Sequence, residues 1–229
     1  MFSKLLNEGE GIALKETIPN FHNTEFRIES LICAYKKATF ERREETKKTY
    51  KYLTRFKASA KRFKKKLEKT PRRVVHNDTK ISNVAFSAKT GEAIGVLDLD
   101  TVMLGSFAYD FGDGERSIAG PNREDETNLS KVFLDLEKFS QFAEGYISSL
   151  AQVLTKREVK SLFGGLFFVS VELSSRFLTD YLEEDKYFKI EYDKQNLDRA
   201  ICQAHLAKDI LKKQIKIKKI IKNLHKKYV

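Results

Sequence analysis

A mainly α fold, α+β in detail, with one small β-hairpin is what this sequence predicts, and three observations predict it. Apolar residues recur at helical spacing over residues 28–69 and again from about residue 125 to the end. Only the stretch between them, from VVHND to GVLDLD, changes to short strand-like runs separated by a turn. The 229 residues are 41% hydrophobic, with 17 Phe and 9 Tyr, so the helical faces have ample material for a core. With no internal repeat or low-complexity linker in the chain, residues 1–229 read as one domain.

Residues 1–14 form a lead-in whose apolar members are Phe2, Leu5, Leu6, Ile12 and Leu14. Ile28, Leu31, Ile32 and Tyr35, then Tyr50, Leu53, Phe56, Ala60, Phe63 and Leu67, carry the first helical stripe, and Pro71 closes it. VVHND, VAFS, the turn AKTGE and AIGVLDLD follow, with Thr90-Gly91 supplying the hairpin turn. Three helical runs complete the chain. They are KVFLDLEKFSQFAEGYISSL, KREVKSLFGGLFFVSVELSSRFLTDYL and LDRAICQAHLAKDILKKQIKIKKIIKNL, the last leading into a basic helix over 208–229.

The net charge of +11 is unevenly placed. Residues 36–73 hold 17 Lys or Arg against 4 acids, and residues 208–229 hold 9 Lys against one Asp, so the rest of the chain is acidic. Without an aromatic stacking platform among them, these segments read as solvated helix faces in preference to a nucleic-acid or acidic-membrane surface. Cys33 and Cys202 form no CxxC pattern, which suits a reducing compartment and excludes a disulfide framework or zinc ribbon. MFSKLLNEGEG has no apolar signal-peptide core, and the apolar run around Phe163 to Val171 is too short for a bilayer. The expectation is a soluble cytoplasmic protein with no membrane contact.

The chemistry lies in HNDTKISN, residues 76–83, and in GVLDLD after it. An Asp held in a loop can take a proton from a substrate hydroxyl, as Asp78 would. An Asn on the same loop, Asn83, can offer a neutral oxygen to a divalent cation, and Asp98 at the end of the returning strand can hold that cation with full charge. The H-x-D-x-x-x-x-N loop followed by a metal-binding Asp is the order of roles in protein kinases. Asp100, two residues on, would share a face with Asp98 in an extended strand and join the metal or meet substrate. Asp110 of the DFG triplet lies too far along for the metal role and reads as a structural carboxylate; His76 reads as a hydrogen-bonded structural histidine. Arg176 and Asp180 fall on one helical face, where a surface ion pair is the plain reading.

HNDTKISNVAF, GVLDLDTVMLG, YDFGD, RFLTDYL and DKYFKI, with ETIPNFHNT and NLDRA, resemble the aminoglycoside phosphotransferase and choline kinase-like superfamily, and within it the N-acetylhexosamine 1-kinases. The resemblance runs from about residue 14 to about residue 212. It implies the C-terminal lobe of a protein kinase-like fold, with the hairpin carrying the catalytic loop. It also implies an ATP-dependent phosphotransferase acting on a sugar hydroxyl, C1 of an N-acetylhexosamine, with magnesium as cofactor. Asp78 would be the base, Asn83 and Asp98 the magnesium ligands, Arg176 and Tyr187 sugar contacts, and Asp110 the brace of the catalytic loop. Leu104 stands where the family usually has proline, and Gly114-Glu115 interrupts its usual GDAIR-like stretch. A nucleotide-gripping N-terminal lobe needs on the order of 40 residues of strands and helix, and only about a dozen precede ETIPNFHN. Gly9-Glu10-Gly11 and Ala13-Leu14-Lys15 only echo a phosphate loop and its lysine. The expectation is therefore a truncated kinase whose missing lobe is separately encoded or whose open apolar face self-associates. The alternatives are a non-catalytic remnant or sugar-binding module of the same fold and, more remotely, a basic nucleic-acid-binding protein.

Overall fold

The computed structural model describes residues 7, 14, 16–121 and 123–229. Expectations placed on residues 1–14 fall outside these, apart from Asn7, whose side-chain amide pairs with the backbone of Val74 in both directions, and Leu14. The described residues are mostly helical, with two small antiparallel ladders.

The stripe over 28–69 is broken into three helices: α1 (Thr24–Lys37), α2 (Phe40–Thr54) and α3 (Lys57–Leu67). The first break falls where Ala38 is extended and the Thr39 side chain caps α2 by accepting from the Arg42 amide. Strand β1 (Arg73–Val75) pairs not with the next strand but with β4 (Met103–Gly105), Val75 opposite Met103. Between them β2 (Val84–Phe86) and β3 (Ala93–Val96) form the hairpin, Val84 opposite Val96. The sequence signals the hairpin and misses the outer ladder.

Helix α4 (Phe107–Ala119) was also not anticipated: Gly112 and Gly114 lower its helix propensity, and its polar residues Asp110, Asp113, Glu115 and Arg116 are buried along with the apolar ones. Beyond it come α5 (Leu136–Ser149), α6 (Lys156–Leu182), α7 (Gln195–Lys212) and α8 (Gln214–Tyr228). The last run is thus two helices, divided at Lys213. α6 is the axis of the core and packs against α4, α7 and α1. At 27 residues it is long and apolar enough to cross a bilayer, which corrects the reading of a run too short to do so. Some 72% of its most apolar window is buried inside the protein, as in the core helix of a globular fold.

α6 starts with a capping box between Thr155 and Glu158. The Glu158 carboxylate also binds Arg73 at 2.9 Å, tying β1 to the start of the central helix. Outside the core, Phe86, Ile94, Leu97 and Leu99 leave an exposed apolar face on the hairpin and the turn beyond it.

Among the described residues several polar side chains are buried, and one buried acid has no hydrogen-bond partner at all. Glu115 of α4 is fully buried and neither carboxyl oxygen has a hydrogen-bond partner. Burial pushes its pKa well above the usual carboxylate range. A folded-state pKa above the unfolded one contributes stability that is full below the unfolded value, about 4.3, and is lost as pH rises toward the folded value. Glu115→Met is therefore expected to stabilise the protein by about 1–3 kcal/mol near neutral pH, and by less in mild acid. Thermal melts of both proteins at the two pH values check this. Equal gains would mean that the carboxyl is not the source.

Candidate active site

The catalytic-loop candidate leaves β1 with Asn77 in the left-handed region, φ 65°. Two backbone amides are thereby turned inward, and the Asp110 carboxylate receives both: His76 N–H donates to Oδ2 at 3.0 Å and Asn77 N–H to Oδ1 at 2.7 Å. Asp110 sits in the first turn of α4, fully buried, and its own carbonyl accepts from the Thr79 hydroxyl at 2.6 Å. Burial pushes the Asp110 pKa up to about 6, against the two amides, which favour its charge. Thr101 closes the other side by donating to the His76 carbonyl at 2.6 Å. The His76 ring links loop to hairpin: Nε2 donates to the Leu97 carbonyl at 2.9 Å, while Nδ1 accepts from the Asp78 amide at 3.3 Å.

This frame presents the Asp78 carboxylate to a cavity of about 360 Å³. Its Oδ2 accepts from Lys80 Nζ at 2.7 Å and from the Asn83 side-chain amide at 2.9 Å. Burial opposes the charge on Lys80, but Asp78, with Asp98 and Asp113 beyond it, raises its pKa and keeps it an ammonium. Since the Asn83 nitrogen is given to Asp78, its amide oxygen is the group available to a cation.

The register places Val84 opposite Val96, and the Leu97 amide donates to the Asn83 carbonyl at 2.8 Å. Asn83 and Asp98 therefore lie at the same end of the hairpin. Asp98 is left-handed, φ 59°, and opens a single 3-10 turn over Leu99–Thr101. That turn corrects the expectation of an extended strand: Asp98 and Asp100 do not share a strand face. Both are exposed, and the Asp100 carbonyl accepts from the Thr17 hydroxyl. Among the described residues no three His, Cys, Asp or Glu side chains gather as a metal cage. An Asn oxygen with one or two carboxylates is all this end of the hairpin offers. Such an all-oxygen set fits a hard cation such as magnesium, whose remaining positions go to water or phosphate.

Arg176 of α6 lines the same cavity as Asp78. Its guanidinium lies over the Phe188 ring at 5.2 Å and the Tyr187 ring at 5.9 Å. Tyr187 is 73% exposed and lines a neighbouring hollow, so of that pair only Arg176 shares the Asp78 cavity. Asp180 forms no ion pair with Arg176. Its carboxylate accepts the Tyr187 and Phe188 amides at 2.8 and 2.9 Å and so positions the loop that carries them.

Two buried pairs in the wall were not singled out from sequence. His22 donates from Nδ1 to Glu172 at 3.0 Å and from Nε2 to the Asn77 carbonyl at 2.9 Å, and stacks on Tyr109. Burial works against a charged ring, yet Glu172 raises the His22 pKa, in keeping with two donating nitrogens. Arg116 donates to Asp113 Oδ1 at 2.9 Å and to Glu124 at 2.8 Å, while Asp113 Oδ2 is buried without a partner. A lone acid inside the apolar run LFFVSVELSS was the available signal for Glu172. For His22 the position in ETIPNFHNT offered only a weak one.

The assembly is a loop carboxylate beside a cavity, with two oxygen donors at the hairpin end next to it. Residues 13–126 match the model of the phosphotransferase enzyme family, APH. That stretch holds Asp78, Asn83, Asp98 and Asp110, and it supports a place in the aminoglycoside phosphotransferase and choline kinase-like superfamily.

Proposed function

We propose that this chain, similar to the APH phosphotransferases over residues 13–126, moves the terminal phosphoryl group of ATP to a sugar hydroxyl, the C1 hydroxyl of an N-acetylhexosamine. The observation that carries the reading is the placing of Asp78. Its carboxylate faces a cavity of about 360 Å³, on a loop whose backbone is braced by Asp110, beside the Asn83 and Asp98 oxygens. A cavity of that size accommodates a monosaccharide.

In this reading Asp78 orients the acceptor hydroxyl and takes its proton as the oxygen bonds to phosphorus and ADP leaves. Little covalent chemistry is asked of the protein, since phosphoryl transfer depends on positioning and on charge. Lys80 fixes the Asp78 rotamer. Arg176, on its aromatic shelf, offers donors to the sugar, while Phe177 and Phe188 give the ring an apolar wall. Asn83 and Asp98 would hold magnesium, which when bound with ATP neutralises phosphate charge.

The metal assignment is tested by titrating Mg-ATP calorimetrically into the wild type, Asp98→Asn and Asp110→Asn. Loss of a ligand carboxylate is expected to weaken binding about tenfold or more, worth ~1.4 kcal/mol, in Asp98→Asn, and less in Asp110→Asn. Equal losses would show that Asp98 is not the metal aspartate.

A further inference from the structure

The two basic segments take no part in the site above, yet the fold brings them together. A cavity of about 390 Å³ lies between the first turns of α6 and helix α8. A second, of about 570 Å³, opens between α3 and the same flank of α6. Lys160, Phe163 and Lys218 line both, so the two form one groove, and neither shares a residue with the cavity at Asp78. The floor is apolar. Val159 and Ile221 lie under the first part, Phe63, Phe167 and Phe168 under the second, and Phe163 between them.

The rim is cationic. Five lysines line the first cavity and six Lys or Arg side chains the second, Lys160 and Lys218 being common to both, and no Asp or Glu lines either. Among the described residues none of these cations forms an ion pair; Lys218 instead reaches Gln214 and lies over the Phe163 ring at 4.5 Å. Lys156, Arg157 and Lys160 stand in the first turns of α6, where the helix dipole disfavours cations. The arrangement therefore costs the fold stability.

We infer that this groove docks an acidic amphipathic segment of a partner protein, its apolar side chains on the floor and its carboxylates against the rim. Charge complementarity sets the sign of the partner, and the apolar floor asks for side chains that enter a groove, as in helix-in-groove recognition. A bilayer is a poorer fit, since the apolar residues lie beneath the lysines and a flat surface cannot reach them. Nucleic acid would match the rim and leave the phenylalanines uncovered. A small amphiphile with one carboxylate would leave most of the rim unmatched.

The test uses the full chain and a fluorescein-labelled peptide of Leu-Glu-Glu-Leu repeats, followed by anisotropy. Comparison probes are a charge-matched peptide lacking leucine, phosphatidylglycerol vesicles and oligodeoxythymidine. The triple variant Lys160→Glu, Lys218→Glu, Lys222→Glu lowers the charge of the nine Lys and Arg side chains on the rim from +9 to +3. The variant Lys36→Glu, Lys48→Glu, Lys51→Glu makes the same charge change on α1 and α2, at residues lining neither cavity. Circular dichroism establishes that both fold. The expected result is that the leucine peptide binds about tenfold or more tighter than its leucine-free match, and that only the rim variant loses this. Equal weakening in both variants would reduce the binding to net charge and overturn the inference. So would no advantage from leucine, or vesicles or oligonucleotide binding more tightly with the same rim dependence.

Discussion

Asp78→Asn is expected to lower phosphoryl transfer by about 10²–10⁴-fold, the range that a positioned general base supplies. The substitution keeps size and hydrogen bonding but cannot take up a proton at neutral pH. The loop itself is held elsewhere, by the His76 and Asn77 amides on Asp110 and by Thr101 on the His76 carbonyl, so the fold is expected to survive. The ratio of variant to wild type is the informative quantity, whatever the absolute rate. It is read in single-turnover assays with ATP, magnesium and N-acetylglucosamine, with Mg-ATP affinity measured alongside. A variant as fast as the wild type would remove Asp78 from the base role. Unchanged affinity with lost turnover is the pattern expected of a group that acts in the transition state.

Gly165→Ala is expected to give the largest loss of stability of any single methyl addition in this core. A Cβ at Gly165 would fall inside the Ala108 carbonyl group, and one at Gly112 would lie 2.5 Å from the Gly165 carbonyl carbon. Helices α4 and α6 thus cross backbone to backbone, and no flexible side chain is there to yield. Overpacking typically costs about 1–3 kcal/mol, and a clash with rigid backbone belongs at the upper end. For a chain of this length that lowers the melting temperature by roughly 6–12 °C. Because α4 carries Asp110 and Asp113 and α6 carries Glu172 and Arg176, the variant should lose site geometry as well. Gly145→Ala on α5 is the matched control. Its Cβ would meet nothing within 4 Å, so it should stabilise the helix by about 0.5–1 kcal/mol. Similar melting temperatures for the two variants would show that the helices separate easily and that the crossing is not tight.

Local order in the sequence determined most of the helices, the β2–β3 hairpin and the succession Asp78, Asn83, Asp98. Helical period, turn residues and strand register act over a few residues, and the hairpin keeps the three site residues within about 20 positions of one another. Tertiary structure alone decided how distant groups were used. Asp110 caps amides 33 and 34 residues earlier, and His22 meets Glu172 across 150 residues. The β1–β4 ladder closes around the intervening hairpin, and the two basic segments meet along one flank of α6. None of these contacts has a local signature, because each exists only after α4 and α6 are packed. The helix that carries Asp110, Asp113 and Glu115 holds two glycines and four buried charged-type residues, a composition that local propensity does not read as a helix. Buried on every side, it could be placed only by the core that surrounds it.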